Sequence, residues 1–170
     1  MATNAPRHLD EPGDKSGRAL LRHTVATLAY RAGKAVREAP GGFAGFSSGE
    51  KGRTPAQILA HMGDLFDWAL SLAKGKQEWH DSAPLAWPDE AERFFRTLQT
   101  FDDYLASGAP LAETPEKLFQ GPVADALTHT GQLTMLRRMA GFAIRGENYH
   151  RAGIVAGRVG QDQSTPVREF

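Results

Sequence analysis

Two histidines and one aspartate are the residues of this chain best placed to do chemistry. Asp125 and His129 lie four residues apart in a segment of helical character, and His61 lies in another, ILAHMGDLFDWAL. Residues at i and i+4 share one side of a helix, so Asp125 and His129 can converge on a single point. If the helix carrying His61 faces theirs inside a bundle, two imidazoles and a carboxylate can meet at one divalent ion. Three protein ligands leave coordination positions open for water or substrate, as a catalytic metal requires.

Each of these residues also has a plainer reading. His61 borders the apolar stripe of Ile58, Met62 and Leu65, where an imidazole can be a core residue satisfied by one partner. Asp125 falls in the first turn after Pro122, where any carboxylate gains from the helix dipole and from unpaired amides. His129, flanked by Leu127 and Leu133, is too deep in its helix to cap it. Asp64 is either an acceptor behind a ligating imidazole or a solvated carboxylate, and the surface is the favoured place for it. His8 belongs to the N-terminal arm, His23 to the surface of the first helix and His80 to a connector. Tyr149 and His150 reach a site only if the tail folds over the bundle. Arg137-Arg138 reads as a solvated or carboxylate-paired stretch near a helix C-terminus. No nucleophile elbow, phosphate-binding loop or dinucleotide fingerprint is present.

The elements that must position these side chains follow from apolar periodicity. Residues 1–15 are polar and rich in Pro and Gly, which predicts a flexible N-terminal arm. Leu20, Leu21, Val25, Leu28, Ala29 and Ala32 mark a first helix, stopped at Pro40-Gly41-Gly42. The second is announced by Thr54 as cap and Pro55 at its first position, carries Ile58, Met62, Leu65, Ala69 and Leu72, and ends near Gly75. A third spans about Pro88 to Ala106, with Asp89 and Glu90 in its first turn and Phe94, Leu98, Phe101 and Leu105 facing the core. The fourth is expected to start near Pro122 and to stop at Gly141, after one short turn over Pro115 to Phe119. Phe43, Phe46 and two tryptophans should pin the connectors.

Together these spacings predict an all-α fold, a four-helix bundle over residues 16–141 whose long connectors make crossover connections. The irregular segment 142–170 packs on the bundle or on a partner.

Bulk properties narrow the function classes. The chain has 170 residues, enough for one domain with a core, and 20 basic residues balance 20 acidic ones. Zero formal net charge argues against a general nucleic-acid surface, which needs an excess of Lys and Arg. With no cysteine, disulfides, thiolate metal sites and a cysteine nucleophile are excluded. MATNAPRHLDEPGDKSGRA lacks the apolar region of a signal peptide, and no apolar run is long enough to span a bilayer, so a cytoplasmic location without membrane contact is expected.

The segments ILAHMGDLFDWAL and DALTHTGQLTMLRRMAG resemble the DinB-like superfamily, the DinB/YfiT-like metalloenzymes. The similarity covers most of residues 16–141, and RGENYHRA looks like a continuation found in some bacterial relatives. The resemblance implies a four-helix bundle holding a divalent metal near one end, with one ligand from the second helix and two, four residues apart, from the fourth. His61 and His129 match that pattern directly. Asp125 stands where the family often has histidine; a carboxylate is a harder ligand and leaves the choice of metal broader. Zinc or nickel is implied first, with manganese and iron as further options. Relatives of known activity include thiol-dependent transferases and a thiol-dependent maleylpyruvate isomerase.

The leading expectation is therefore a metalloenzyme, transferase- or hydrolase-like, that activates water or an external low-molecular-weight thiol toward a small-molecule substrate. The competing one is a non-catalytic, metal-stabilised binding or dimerisation module, and a homodimer is compatible with either.

Overall fold

The computed structural model describes residues 12–170, with side chains from residue 15 onward, and its regular elements are all helical. Five α-helices follow in order: α1 Pro12–Val36, α2 Pro55–Ala73, α3 Trp87–Ala106, α4 Pro115–Leu118 and α5 Ala124–Met139. A π-helical turn, Phe119–Val123, joins α4 to α5 without a break, and single 3₁₀ turns occupy Phe43–Gly45 and Tyr149–Arg151. Among the described residues there is no strand, only an isolated bridge between Glu147 and Glu169. No described helix is long and apolar enough to cross a membrane.

Local chemistry sets the limits of α2. Thr54 Oγ1 accepts from the Gln57 amide at 3.3 Å while Gln57 Oε1 accepts from the Thr54 amide at 2.9 Å, a reciprocal capping box with Pro55 behind it. At the other end Gly75 takes φ 77°, and the amides of Gly75 and Lys76 return to the carbonyls of Leu72 and Ser71. α5 closes the same way through Gly141 at φ 86°, with Phe142 N–H bonded to Arg137 O. A left-handed residue with these two return bonds satisfies carbonyls that the helix leaves open, and only glycine takes that conformation without strain.

The four long rods contact one another as a ring, in the order α1, α3, α2, α5 and back to α1. Consecutive α1 and α2 thus stand across the ring from each other, joined by the connector 37–54. The connector is held by Phe43, buried and edge-on to Trp87 at 5.4 Å. Inside the ring one apolar cluster draws on every long helix, with Phe66 edge-on to Phe94 and tilted against Phe101.

One element boundary and one junction differ from the sequence reading. Of the expected arm, residues 1–11 lie outside the described residues, and residues 12–15 already belong to α1. The fourth rod starts at Pro115, capped by Thr114, and runs through Pro122. Proline inside an α-helix clashes with the carbonyl four residues back. Here the ladder widens, Ala124 N–H reaching back to Phe119 O, so the proline is carried without ending the rod.

The tail lies on α1. Glu147 is buried, taking the Tyr30 hydroxyl at 2.7 Å and Lys34 Nζ at 2.8 Å, and Lys34 also holds Glu169 at 2.8 Å. Burial, and then the Glu147 carboxylate, push the Tyr30 hydroxyl far above its ordinary range, so it stays a donor.

Arg137 corrects the expectation of a solvated or carboxylate-paired residue. It is buried, and its guanidinium donates to carbonyls alone: Ala35 at 3.2 Å, Arg37 at 2.8 Å and Phe142 at 3.2 Å. The last carbonyls of α1 have no helical donors, and α5 carries a cation into that gap. Its neighbour Arg138 is exposed. Arg137→Met keeps the stem and removes the donors, so stability should fall by about 3 kcal/mol as those carbonyls lose their partners. Arg138→Met should change it by less than about 0.5 kcal/mol. Urea unfolding of the two variants is the measurement, and equal small losses would mean that water satisfies the α1 carbonyls.

Candidate metal centre

α2 and α5 are neighbours in the ring, and their facing sides bring His61, Asp125 and His129 together. His61 Nε2 lies 3.6 Å from Asp125 Oδ2, and His129 Nε2 lies 3.5 Å from Asp125 Oδ1. One donor atom from each of the three side chains fits within 4.8 Å of the others. The nitrogen–oxygen separations exceed those of good hydrogen bonds. They are close to the roughly 3.3 Å between two donors that share a tetrahedral zinc at about 2.0–2.1 Å. Spacing and donor chemistry therefore fit a single divalent ion.

The imidazoles are prepared for that role. Gln132, one turn beyond His129, accepts from its Nδ1 at 2.8 Å, which leaves the Nε2 lone pair directed at the centre. The His61 ring stands edge-on to His129 at 4.9 Å and to Trp79 at 5.6 Å. Burial, then the nearby His129 and Arg53, pull His61 below the ordinary histidine value despite Asp125. A neutral His61 is the form with a lone pair to give. The side chains of His61 and His129 are 18% and 11% exposed against 47% for Asp125, so the centre opens to solvent on the carboxylate side.

The alternative reading of Asp125 as a helix-end residue loses its basis, because the helical ladder already runs from Pro115 and the amides before Asp125 are not at an open terminus.

Asp64 is a second correction. It is neither solvated nor bonded to His61; it is buried at 2% exposure beneath the α2–α3 connector. The Ser82 amide donates to it at 2.8 Å, Arg93 of α3 at 2.9 Å, and His80 Nε2 stands 3.1 Å away. Burial alone would raise its pKa, but the Ser82 amide and hydroxyl together with Arg93 outweigh that and hold it below the usual carboxylate range. With Asp67 and His80 it forms another group that could hold a metal ion. In that group Arg93 already supplies a positive charge, within 3.8 Å of Asp67 as well. His80, expected on the surface, is half exposed yet paired to both aspartates.

Arg93 continues to Glu90 at 2.6 Å and to the Ala60 carbonyl, lying flat on α2 where Gly63 has no side chain. A Cβ on Gly63 would sit 2.8 Å from the guanidinium carbon. Glu90 in turn accepts from the Leu85 amide at 2.8 Å. This network fixes the connector, and the connector lays Trp79 against His61.

Tyr149 does not approach the centre. It packs on α1, edge-on to Tyr30 with the Arg31 guanidinium 4.4 Å from its ring centroid, and His150 beside it is exposed. His23 is exposed, and His8 lies outside the described residues. Of the residues that sequence reasoning passed over, Gln132 had a signal, its i+3 spacing from His129. Arg93 and Asp67 had none, since their partners come from other elements.

No protein-family model, curated protein or solved structure matches this chain. Function is read from the geometry.

Asp64 also dictates an acid response. The folded chain keeps this carboxylate charged at a pH where the unfolded chain, at about 3.9, takes up a proton. Its stabilising contribution is therefore present above pH 4 and is lost as pH falls through the lower folded value. Asp64→Asn should lower stability at pH 6 and flatten the decline between pH 5 and pH 3, relative to the unaltered chain. Urea midpoints at those three pH values test this, and parallel declines in both proteins would contradict it.

Proposed function

We propose that His61, Asp125 and His129 hold one divalent ion, zinc or nickel, and that the protein is a metal-dependent enzyme of the DinB-like kind. It acts on a small molecule, with water or an external thiol as the nucleophile. The observation that carries this reading is the meeting of two imidazoles and one carboxylate, from two helices, at the spacing of ligands on a common ion. When bound, the ion supplies Lewis acidity, which makes a water or a thiol nucleophilic near neutral pH.

The chain's own residues do the rest. Gln132 holds His129 in the tautomer that presents Nε2. Burial keeps His61 neutral. Trp79 covers the His61 side of the centre, while half-exposed Asp125 leaves the other side accessible. A sealed structural site would bury all of its ligands. The open carboxylate therefore supports catalysis over a purely stabilising metal. With no cysteine in the chain, a thiol nucleophile must arrive from solution.

His61→Ala and His129→Ala should lose zinc affinity well beyond the roughly 10–100-fold that loss of an outer partner costs, with helicity retained. Gln132→Ala should fall inside that range. Asp125→Ala should weaken zinc binding, and Asp125→His should keep or tighten it. Competitive zinc titration of untagged protein, with circular dichroism as the folding control, reads all five. Undiminished zinc binding in both histidine variants would end the proposal; an unaffected Asp125→Ala would remove Asp125 from the ligand set.

A further inference from the structure

Beside His129 the surface opens into a cavity of about 470 Å³, in the size range of small-molecule sites. One wall is a stripe of α5, with His129, Gln132 and Leu136 three and four residues apart. Met135 and Met139 flank that stripe, each 54% exposed. Methionines adapt to irregular apolar shapes, and these two, left in solvent, have no other apolar load to carry.

Arg53 lines the same cavity from the residue before the α2 cap. It also lines a second hollow, of about 220 Å³, on the His61 side. Arg53 is exposed, whereas the cations set into the fold are matched: Arg22 by Asp102, Lys34 by Glu147, Arg93 by Asp64, and Arg137 by carbonyls. The Arg53 guanidinium has no ion pair and donates no hydrogen bond among the described residues. It is nevertheless near enough to the centre for its charge to act on His61. An unmatched planar fork beside an apolar wall complements one kind of group, a compact monoanion on a hydrocarbon body.

We propose that this cavity takes a small amphipathic carboxylate as substrate. Its anionic end rests on Arg53, its hydrocarbon lies against Met135, Leu136 and Met139, and its reacting group points toward His129. The assignment rests on the metal-centre reading above for its chemistry, but the binding groove stands on Arg53 and the methionines. A phosphate dianion would leave one charge uncompensated on a single guanidinium.

Calorimetric titration with hexanoate, using hexanol and hexylamine as comparators, tests this on the full chain with and without zinc. Hexanoate should bind better than hexanol, and hexylamine should not bind. Arg53→Ala and Met139→Asp should each weaken hexanoate by about tenfold or more, and Arg53→Lys should weaken it less. Zinc content should be unchanged in all three. Failure to bind zinc sinks the metal-centre reading alone, because the Arg53 dependence must persist in the metal-free chain. Three results overturn the proposal: no hexanoate binding in either form, hexylamine binding as tightly, or hexanoate affinity that ignores Arg53→Ala and follows zinc only.

Discussion

The Arg93 guanidinium lies along α2 with four attachments, to Asp64, to Glu90, to the Ser82 hydroxyl and to the Ala60 carbonyl. A charge so deeply placed is tolerable only when each of its donors is engaged, and removing one partner of such a pair costs about 3–5 kcal/mol. Those attachments tie α3 to α2, and through Ser82 and Leu85 they tie the connector to both. The wall beside His61 is thereby a consequence of an ion-pair network that includes none of His61, Asp125 and His129. Gly63 is part of the same device, since any side chain there would occupy the guanidinium's place. A mid-helix glycine costs about 1 kcal/mol in helix propensity, and here close approach of the charge offsets it.

The molecule treats its buried charges by two distinct rules. Asp64, Glu90, Asp102 and Glu147 are each buried against a cation supplied by another residue of the fold. Arg137 is buried against helix carbonyls, and burial draws its pKa down with only Glu38 opposing. The first rule fastens helices and tail laterally; the second closes the open end of one helix with the side chain of another. Arg53 is exposed and answers to neither rule.

Much of this architecture was legible in the residues themselves. The apolar stripes of α2 and α3, the Thr54-Pro55 start and the glycines after α2 and α5 are local signals, and local structure obeys them. The positions of His61, Asp125 and His129 followed from helical spacing plus the assumption that two helices face each other, which the ring order meets. Asp64 and Arg137 were misplaced because a charged side chain reads as solvated until its partner is known, and the partners are 29 and 102 residues away. The short turn at Pro115 and the last helix beginning near Pro122 were legible from their prolines, but not the π-turn that joins them, because the accommodation at Pro122 is not a property of the tripeptide around it. The docking of the tail through Glu147 and Lys34, more than a hundred residues apart, left no periodic trace.

The widened turn before α5 has a consequence for phase. Leu118 and Ala126 are both fully buried, and eight residues separate them. In an unbroken α-helix they would point about 80° apart, since each residue advances about 100°. The π-turn takes up most of one residue's rotation, so a single rod can keep α4 seated on the core and still aim Asp125 and His129 at α2. Deleting one residue from Phe119–Val123 would bring the two positions to within about 20° of one another in a plain α-helix, so the wide turn is the form in which this rod carries one extra residue without turning either half from its partners.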